Sequence, residues 1–358
     1  MKYIATLLIA LALPLAAQEY KIAVIGMVHG HVWGHLGKMI KGEPAKLVGI
    51  AETEPELIAE ARKRGAAGIR FFDDYRKMLG ETKPDIVWAF VENNRHREIA
   101  EACAPRKIHL IFEKPLAANY EDALAIRSLA RKHGTQVMTN YQMAWWPANY
   151  AAKAESDAGA IGRVWRLRGV VGHGGPGGPT GLNRFFFNWL TDPVKNGAGA
   201  LMDFGCYNAL WSLWYFGRPE SVYASVNQLR PETFPNVEDN STMILRYKNG
   251  VGIFEGSWDL PRSFQDLEVF GIGGSLYMKN GSVELRKGRE AARELPLENL
   301  PPERAEPISY MIQCLKSGKP VEGLVALDIN VGVNEIIEAA KRSLRTGQAV
   351  KLPLKGNQ

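Results

Sequence analysis

Between Lys21 and Asn140 short apolar runs alternate with amphipathic stretches, and no other feature limits the fold of this chain as much. Lys21 to Met27 (KIAVIGM) reads as a strand ending in a glycine turn. A parallel strand covered on both faces is apolar throughout rather than at every second residue. His31 to Ile40 follows with helical spacing. Lys46 to Ala51 is a second strand and Pro55 to Arg64 a second helix, with proline suited to its first turn and Gly65 to its end. Phe71 to Leu79 reads as a short strand, a turn and a helix. Ile86 to Val91, Ile108 to Phe112 and Gln136 to Asn140 are further strands, separated by helices over Arg95 to Ala104 and Tyr120 to His133. Strands alternating with helices of this length form a doubly wound parallel sheet with right-handed crossovers. Such a sheet binds ligands beyond the carboxyl ends of its strands, so the chemistry is expected there.

The 358 residues allow two domains, expected over 18–140 and 141–358. The net charge of +6 is spread along the chain without a Lys/Arg-rich run, which argues against a nucleic-acid partner. Residues 1–17 read as a secretory signal peptide: Met1-Lys2, an apolar run from Ile4 to Leu15, then Ala16-Ala17 before Gln18. A membrane anchor and a buried first helix are the alternatives. Export, with the periplasm as destination, is the expectation, and no later stretch is long enough to cross a membrane. Cys103, Cys206 and Cys314 lie far apart, have no metal-binding spacing, and read as buried structural residues.

The first strand runs into Gly26-Met27-Val28-His29-Gly30-His31, a variant of the glycine-rich turn that cradles a dinucleotide. Val28 stands where the middle glycine would be. The turn and a following helix start still offer exposed amides to a pyrophosphate. Glu52 ends the second strand 26 residues beyond Gly26. An acidic group there accepts from both ribose hydroxyls and repels a 2′-phosphate, favouring NAD over NADP; an ordinary loop glutamate is the alternative. His29, His31 and His35 resemble a metal cluster, but no acidic partner lies near them in the sequence, so no metal is expected.

Glu113-Lys114-Pro115 closes the strand IHLIF. Upstream, Val91-Glu92-Asn93-Asn94-Arg95-His96 resembles a T-P-N-x-x-H segment, matching at Asn93 and His96. Downstream, Gly197 to Tyr207 resembles G-G-G-x-L-x-D-x-G-x-H, with Asp203, Gly205 and Tyr207 at the marked positions. Together with the closing Ser343 to Val350, these motifs resemble the glucose–fructose oxidoreductase/inositol dehydrogenase (Gfo/Idh/MocA) family over nearly the whole mature chain.

The resemblance implies an NAD(P)-dependent oxidoreductase acting on a sugar, a polyol or a related secondary alcohol. It implies a Rossmann domain followed by an α+β domain with a large, mostly antiparallel sheet that also serves homo-oligomer contacts. Strand-like stretches at Ser221 to Leu229, Ser241 to Tyr247, Val251 to Trp258, Gln265 to Gly271 and Ser275 to Lys279 fit that sheet. Leu201 to Tyr215 fits one helix carrying Asp203 and Tyr207 on a shared face. The implied catalytic residues are Lys114, Asp203 and Tyr207. Lys114 would hold the charge on the reacting oxygen and lower the Tyr207 pKa, while Asp203 binds a substrate hydroxyl. The implied cofactor contacts are Gly26, Met27, Val28, His29, Gly30, His31, Glu52, Asn93, His96, Glu113 and Lys114. Tyr141, Gln142, Trp145, Trp146, His173 and Trp189 are further residues for the substrate side, and Gly172 to Gly181 is glycine-rich enough for a lid. Free cofactor is scarce outside the cytoplasm, so a tightly held NAD is expected. A redox-neutral NAD-dependent glycosidase and a non-catalytic sugar- or nucleotide-binding module are the alternatives.

Overall fold

The computed structural model describes residues 19–279 and 281–354. The signal-peptide expectation falls outside them. The first half consists of β1 (Lys21–Ile25), α1 (Val32–Lys41), β2 (Lys46–Ala51), α2 (Pro55–Lys63), β3 (Phe71–Phe72), α3 (Tyr75–Thr82), β4 (Ile86–Ala89), α4 (His96–Cys103), β5 (His109–Glu113), α5 (Tyr120–His133) and β6 (Val137–Asn140). Its strands form one parallel sheet in the order β3-β2-β1-β4-β5-β6. Every residue of β4 and β6 is buried, as a sheet covered on both faces requires. Local signals set the helix ends. Asp74 accepts from the Arg76 amide and Asn119 from the Asp122 amide, while Gly42 and Gly134 close α1 and α5 in left-handed conformations. The strand order reverses between β1 and β4, and the turn leaving β1 lies at that point.

The second half contains α6 (Pro147–Asp157), β7 (Val164–Gly172), α7 (Asn183–Leu190), α8 (Ala200–Asp203), α9 (Gly205–Phe216), β8 (Ser221–Asn227), β9 (Asn240–Tyr247), β10 (Gly250–Ser257), β11 (Phe264–Gly271), β12 (Gly274–Lys279), β13 (Ser282–Arg286), β14 (Arg293–Glu294), α10 (Pro307–Ser317), α11 (Leu327–Thr346) and β15 (Val350–Lys351). Its sheet runs β14-β13-β12-β11-β7-β10-β9-β8-β15. All neighbours are antiparallel except β7 and β10. Sequence patterning missed β7, the central strand, because arginines interrupt its apolar run.

The expected single helix from Leu201 to Tyr215 is broken at Phe204. In a continuous helix the Asp203 carbonyl would accept from the Tyr207 amide. Here it accepts instead from Lys114 Nζ at 2.9 Å and the Cys206 thiol at 3.3 Å, while the Tyr207 amide turns to the Phe204 carbonyl at 3.1 Å. The break therefore aims a backbone oxygen at Lys114.

One hydrophobic cluster joins the halves, running from Ile22, Val24 and Trp88 to Leu201, Trp211 and Ile337. The long α11 returns to pack on α5, and Asn334 Nδ2 donates to the Ala117 carbonyl at 2.7 Å. No helix among the described residues is long and apolar enough to cross a membrane.

Gly26 has φ +74°, and a Cβ there would strike Val91 Cγ1 and stand 3.1 Å from the Phe90 carbonyl oxygen. At Gly30 the nearest side-chain atom, Phe186 Cγ, would lie 3.9 Å away. Gly26→Ala is therefore expected to cost roughly 2 kcal/mol of stability and Gly30→Ala roughly 0.5 kcal/mol or less, measured by urea unfolding.

Candidate active site

The turn after β1 is held from three sides. The Gly26 amide donates to the Ala51 carbonyl at 2.8 Å, the Met27 amide to Glu52 Oε2 at 2.7 Å, and the His29 amide to the Phe90 carbonyl at 3.0 Å. Glu52 Oε1 accepts from the Thr53 and Glu54 amides at 2.7 and 2.9 Å. The carboxylate expected to face a ribose thus also shapes the turn that would carry the pyrophosphate. Burial raises its pKa, opposed by these three amide bonds. Beside it lies a cleft of about 230 Å³, lined by Gly26, Val28, Glu52, Asp73, Glu92 and Arg95 among others. Among the described residues nothing accepts from the Val28 and Gly30 amides, and α1 begins directly beyond them with no acidic residue in its first turn. Two unpaired amides at the positive end of a helix fit a pyrophosphate. Glu52 at the neighbouring strand end fits a ribose.

At the end of β5 the side chains of Glu113 and Lys114 diverge. Glu113 is fully buried. Its Oε2 meets His31 Nδ1 at 2.8 Å, and its Oε1 accepts from Trp88 Nε1 at 3.1 Å and Asn140 Nδ2 at 2.9 Å. Burial pushes its pKa up, but His31, His29 and Asn140 outweigh that and bring it to about 2. One expectation is corrected. The histidines do have an acidic partner, 82 residues away in sequence and therefore invisible to local spacing. Glu113 itself is turned inward and holds neighbouring side chains.

Lys114 points into the second half of the chain. Its amine donates to the Asp203 carbonyl at 2.9 Å and to Asp203 Oδ1, and lies 5.1 Å from the centre of the Tyr207 ring. Asp203 Oδ2 accepts from Trp258 Nε1 at 2.8 Å. Both groups are buried, which opposes ionisation of each. Their mutual attraction prevails, raising the Lys114 pKa and lowering that of Asp203. Lys114 does pull the Tyr207 pKa down, as expected, but burial outweighs it and holds that pKa well above the usual phenol value. The geometry agrees, because the amine faces the ring.

Asn93 and His96 act as joints. Asn93 Nδ2 donates to the Asn196 side-chain oxygen at 2.8 Å, tying the first half to the segment before α8. His96 is fully buried, stacks on Phe112 at 4.6 Å, and bonds the Leu116 carbonyl through Nδ1 at 3.0 Å. It steadies the loop after Lys114. Of the aromatic set, Tyr141 is buried edge-on to Tyr207, and Trp189 donates to the Val28 carbonyl at 3.2 Å. His173 packs edge-on against Phe204, close enough to feel the charges of Asp203 and Lys114. Sequence reasoning missed Trp258, Asn140 and Trp88, whose roles depend on contacts made only in the folded chain.

A cleft with unpaired amides and a carboxylate at the ends of β1 and β2, and a buried amine held as a cation at the end of β5, are the parts a dinucleotide-dependent oxidoreductase needs. Comparison with known proteins agrees. Residues 20–141 match the family described as "Oxidoreductase family, NAD-binding Rossmann fold", and residues 150–277 match the "GFO/IDH/MocA C-terminal domain". The chain belongs to the Gfo/Idh/MocA oxidoreductase family. It is 26% identical over 317 residues to levoglucosan dehydrogenase of Pseudarthrobacter phenanthrenivorans, covering 81% of this chain and 78% of that protein. It is 25% identical over 351 residues to myo-inositol 2-dehydrogenase of Thermotoga maritima, covering 93% and 98%. A solved levoglucosan dehydrogenase, in complex with NADH and levoglucosan, superposes with a TM-score of 0.77 at 22% identity, covering 94% of this chain and all of that one.

Burial lowers the His96 pKa from 6.5 to about 4, the Leu116 bond opposing part of the shift. Between those values the unfolded chain binds a proton that the folded chain refuses. Stability is therefore complete above about pH 6.5 and falls as the pH drops towards 4. His96→Gln should flatten this slope by on the order of 1 kcal/mol, read from urea midpoints at pH 7.5 and 5. An unchanged slope would place the acid sensitivity elsewhere.

Proposed function

We propose that this protein oxidises a secondary hydroxyl of a sugar or polyol, with NAD rather than NADP as hydride acceptor, and retains the dinucleotide between turnovers. The observation that carries the reading is the Lys114 amine, fixed as a cation by Asp203 at the strand end next to the nucleotide turn. A hydroxyl oxygen reaching that amine would gain a charge-assisted hydrogen bond that strengthens as negative charge develops on it. When bound, the dinucleotide supplies the hydride acceptor. The Val28 and Gly30 amides would hold its pyrophosphate and Glu52 its ribose. Asp203 keeps the amine in place and charged, and Trp258 keeps Asp203 in place. His173 approaches the same pair from the end of β7 and suits contact with a substrate hydroxyl.

The preference for NAD rests on the cleft's charge. Glu52, Glu54, Asp73 and Glu92 face it, against a single Arg95 that is tied to Glu92 and Glu98. A 2′-phosphate would meet an excess of negative charge. The substrate class follows the names of the relatives, which act on a polyol and an anhydrosugar. Retention of cofactor rests on the export expected from residues 1–17. We also propose a homo-oligomer through the outer face of the nine-stranded sheet. There Tyr223 and Ile244 pair across β8 and β9, each 41% exposed.

The purified mature chain, once denatured, should release NAD(H) at close to one per chain. No release, together with no NAD or NADP binding by calorimetry, would overturn the reading. Lys114→Met should keep the dinucleotide and lose roughly 100-fold or more in kcat against a screened polyol panel. Release of an aglycone from a glycoside without net NADH would redirect the assignment to a redox-neutral glycosidase. Glu52→Ala should weaken NAD binding about tenfold and narrow the gap between NAD and NADP. In light scattering, Ile244→Asp should shift the oligomer towards the monomer.

A further inference from the structure

The histidines of the turn after β1 and the buried glutamate at the end of β5 meet in a way that the oxidoreductase reading does not use. His29, His31 and Glu113 each bring one potential ligand atom within 4.8 Å of the other two. We propose that these three residues form a binding site for one divalent transition-metal ion of the zinc class.

Two imidazoles and one carboxylate suit zinc and its borderline neighbours, whereas magnesium and calcium prefer all-oxygen surroundings. Bonds of about 2.1 Å in a tetrahedral site would place the donors about 3.4 Å apart. The His31–Glu113 contact of 2.8 Å must then open slightly. The residue able to make that adjustment is His31, whose side chain is 40% exposed, and its exposed edge also gives the ion a way in.

The other two ligands are held from behind. Trp88 and Asn140 fix the Glu113 carboxylate. His29 lies against the rings of Phe186 and Trp189, with centroids 5.1 and 5.4 Å away. Such supporting contacts orient metal ligands and tighten the site. Glu113 and His29 are both buried, so bulk water does not compete for their ligand atoms. A buried anion faced by imidazoles is also an electrostatic invitation to a cation. His35 takes no part; it stacks on Trp88 at 4.4 Å. Three protein ligands would leave one position for water or for the oxygen of a bound hydroxyl compound.

The test is calorimetric titration of the chelator-treated mature protein with zinc as the only added ligand. One zinc per chain is expected. His31→Ala, which removes a half-exposed side chain, should weaken binding at least tenfold, as should His29→Asn. His35→Ala should leave it unchanged and controls for general effects on α1. Absence of zinc binding to the wild type would overturn the proposal, as would an affinity that survives His31→Ala in a variant with unaltered thermal unfolding. The readout is zinc bound per chain, so failure of this proposal and failure of the NAD reading are distinguishable.

Discussion

A lysine cation with almost no access to water is the constraint around which the two halves of this chain are arranged. Stripping an ammonium of its hydration is costly, and only close, well-oriented acceptors offset the cost. Lys114 finds them on one residue, Asp203, through both its carboxylate and its carbonyl. To supply that carbonyl the helical segment gives up one of its own hydrogen bonds and breaks at Phe204. Glu238 then secures the start of α8 by accepting from the Gly199 and Leu201 amides at 2.7 and 2.9 Å. The ion pair therefore stands inside a chain of acceptors and donors reaching from β5 to Trp258, the residue that follows β10.

The loop after Lys114 is equally constrained. Its carbonyls at Leu116 and Ala117 are taken by His96, 20 residues before Leu116, and Asn334, 217 residues after Ala117. At Ala118 the backbone is met so closely by Gly197 that a side chain there would collide with the carbonyl. A buried amine needs a fixed address, and here it comes from side chains on both sides of the loop. Consecutive residues of β5 serve different sides. Glu113 binds side chains around the nucleotide turn, and Lys114 faces the substrate half.

Much of this was legible in the order of residues. The parallel sheet announced itself because fully buried strands are apolar without interruption. Gly26 and Glu52 stood at strand ends, where topology places ligands. Lys114, Asp203 and Tyr207 were marked by motif, and the fold gathers them. What the sequence concealed were relations between distant residues. The partnership of His31 with Glu113 joins two strand ends far apart in the chain. The altered proton affinity of Tyr207 depends on burial that no spacing reports. The break at Phe204 follows from a tertiary hydrogen bond, and helical periodicity runs straight through it. β7 was hidden because arginines interrupt its apolar run, although it lies at the centre of its sheet.

The return of α11 to the first half has a consequence for how the molecule can be divided. The last long helix of the sequence lies on α5, and its Asn334 closes the loop beside Lys114. A fragment ending after β6 would contain every strand of the parallel sheet, yet it would lack the cover over α5 and the clamp on its most important loop. The spatial border between the halves does not coincide with any single cut in the polypeptide. A nucleotide-binding half transplanted into another protein would have to carry its distant C-terminal helix with it.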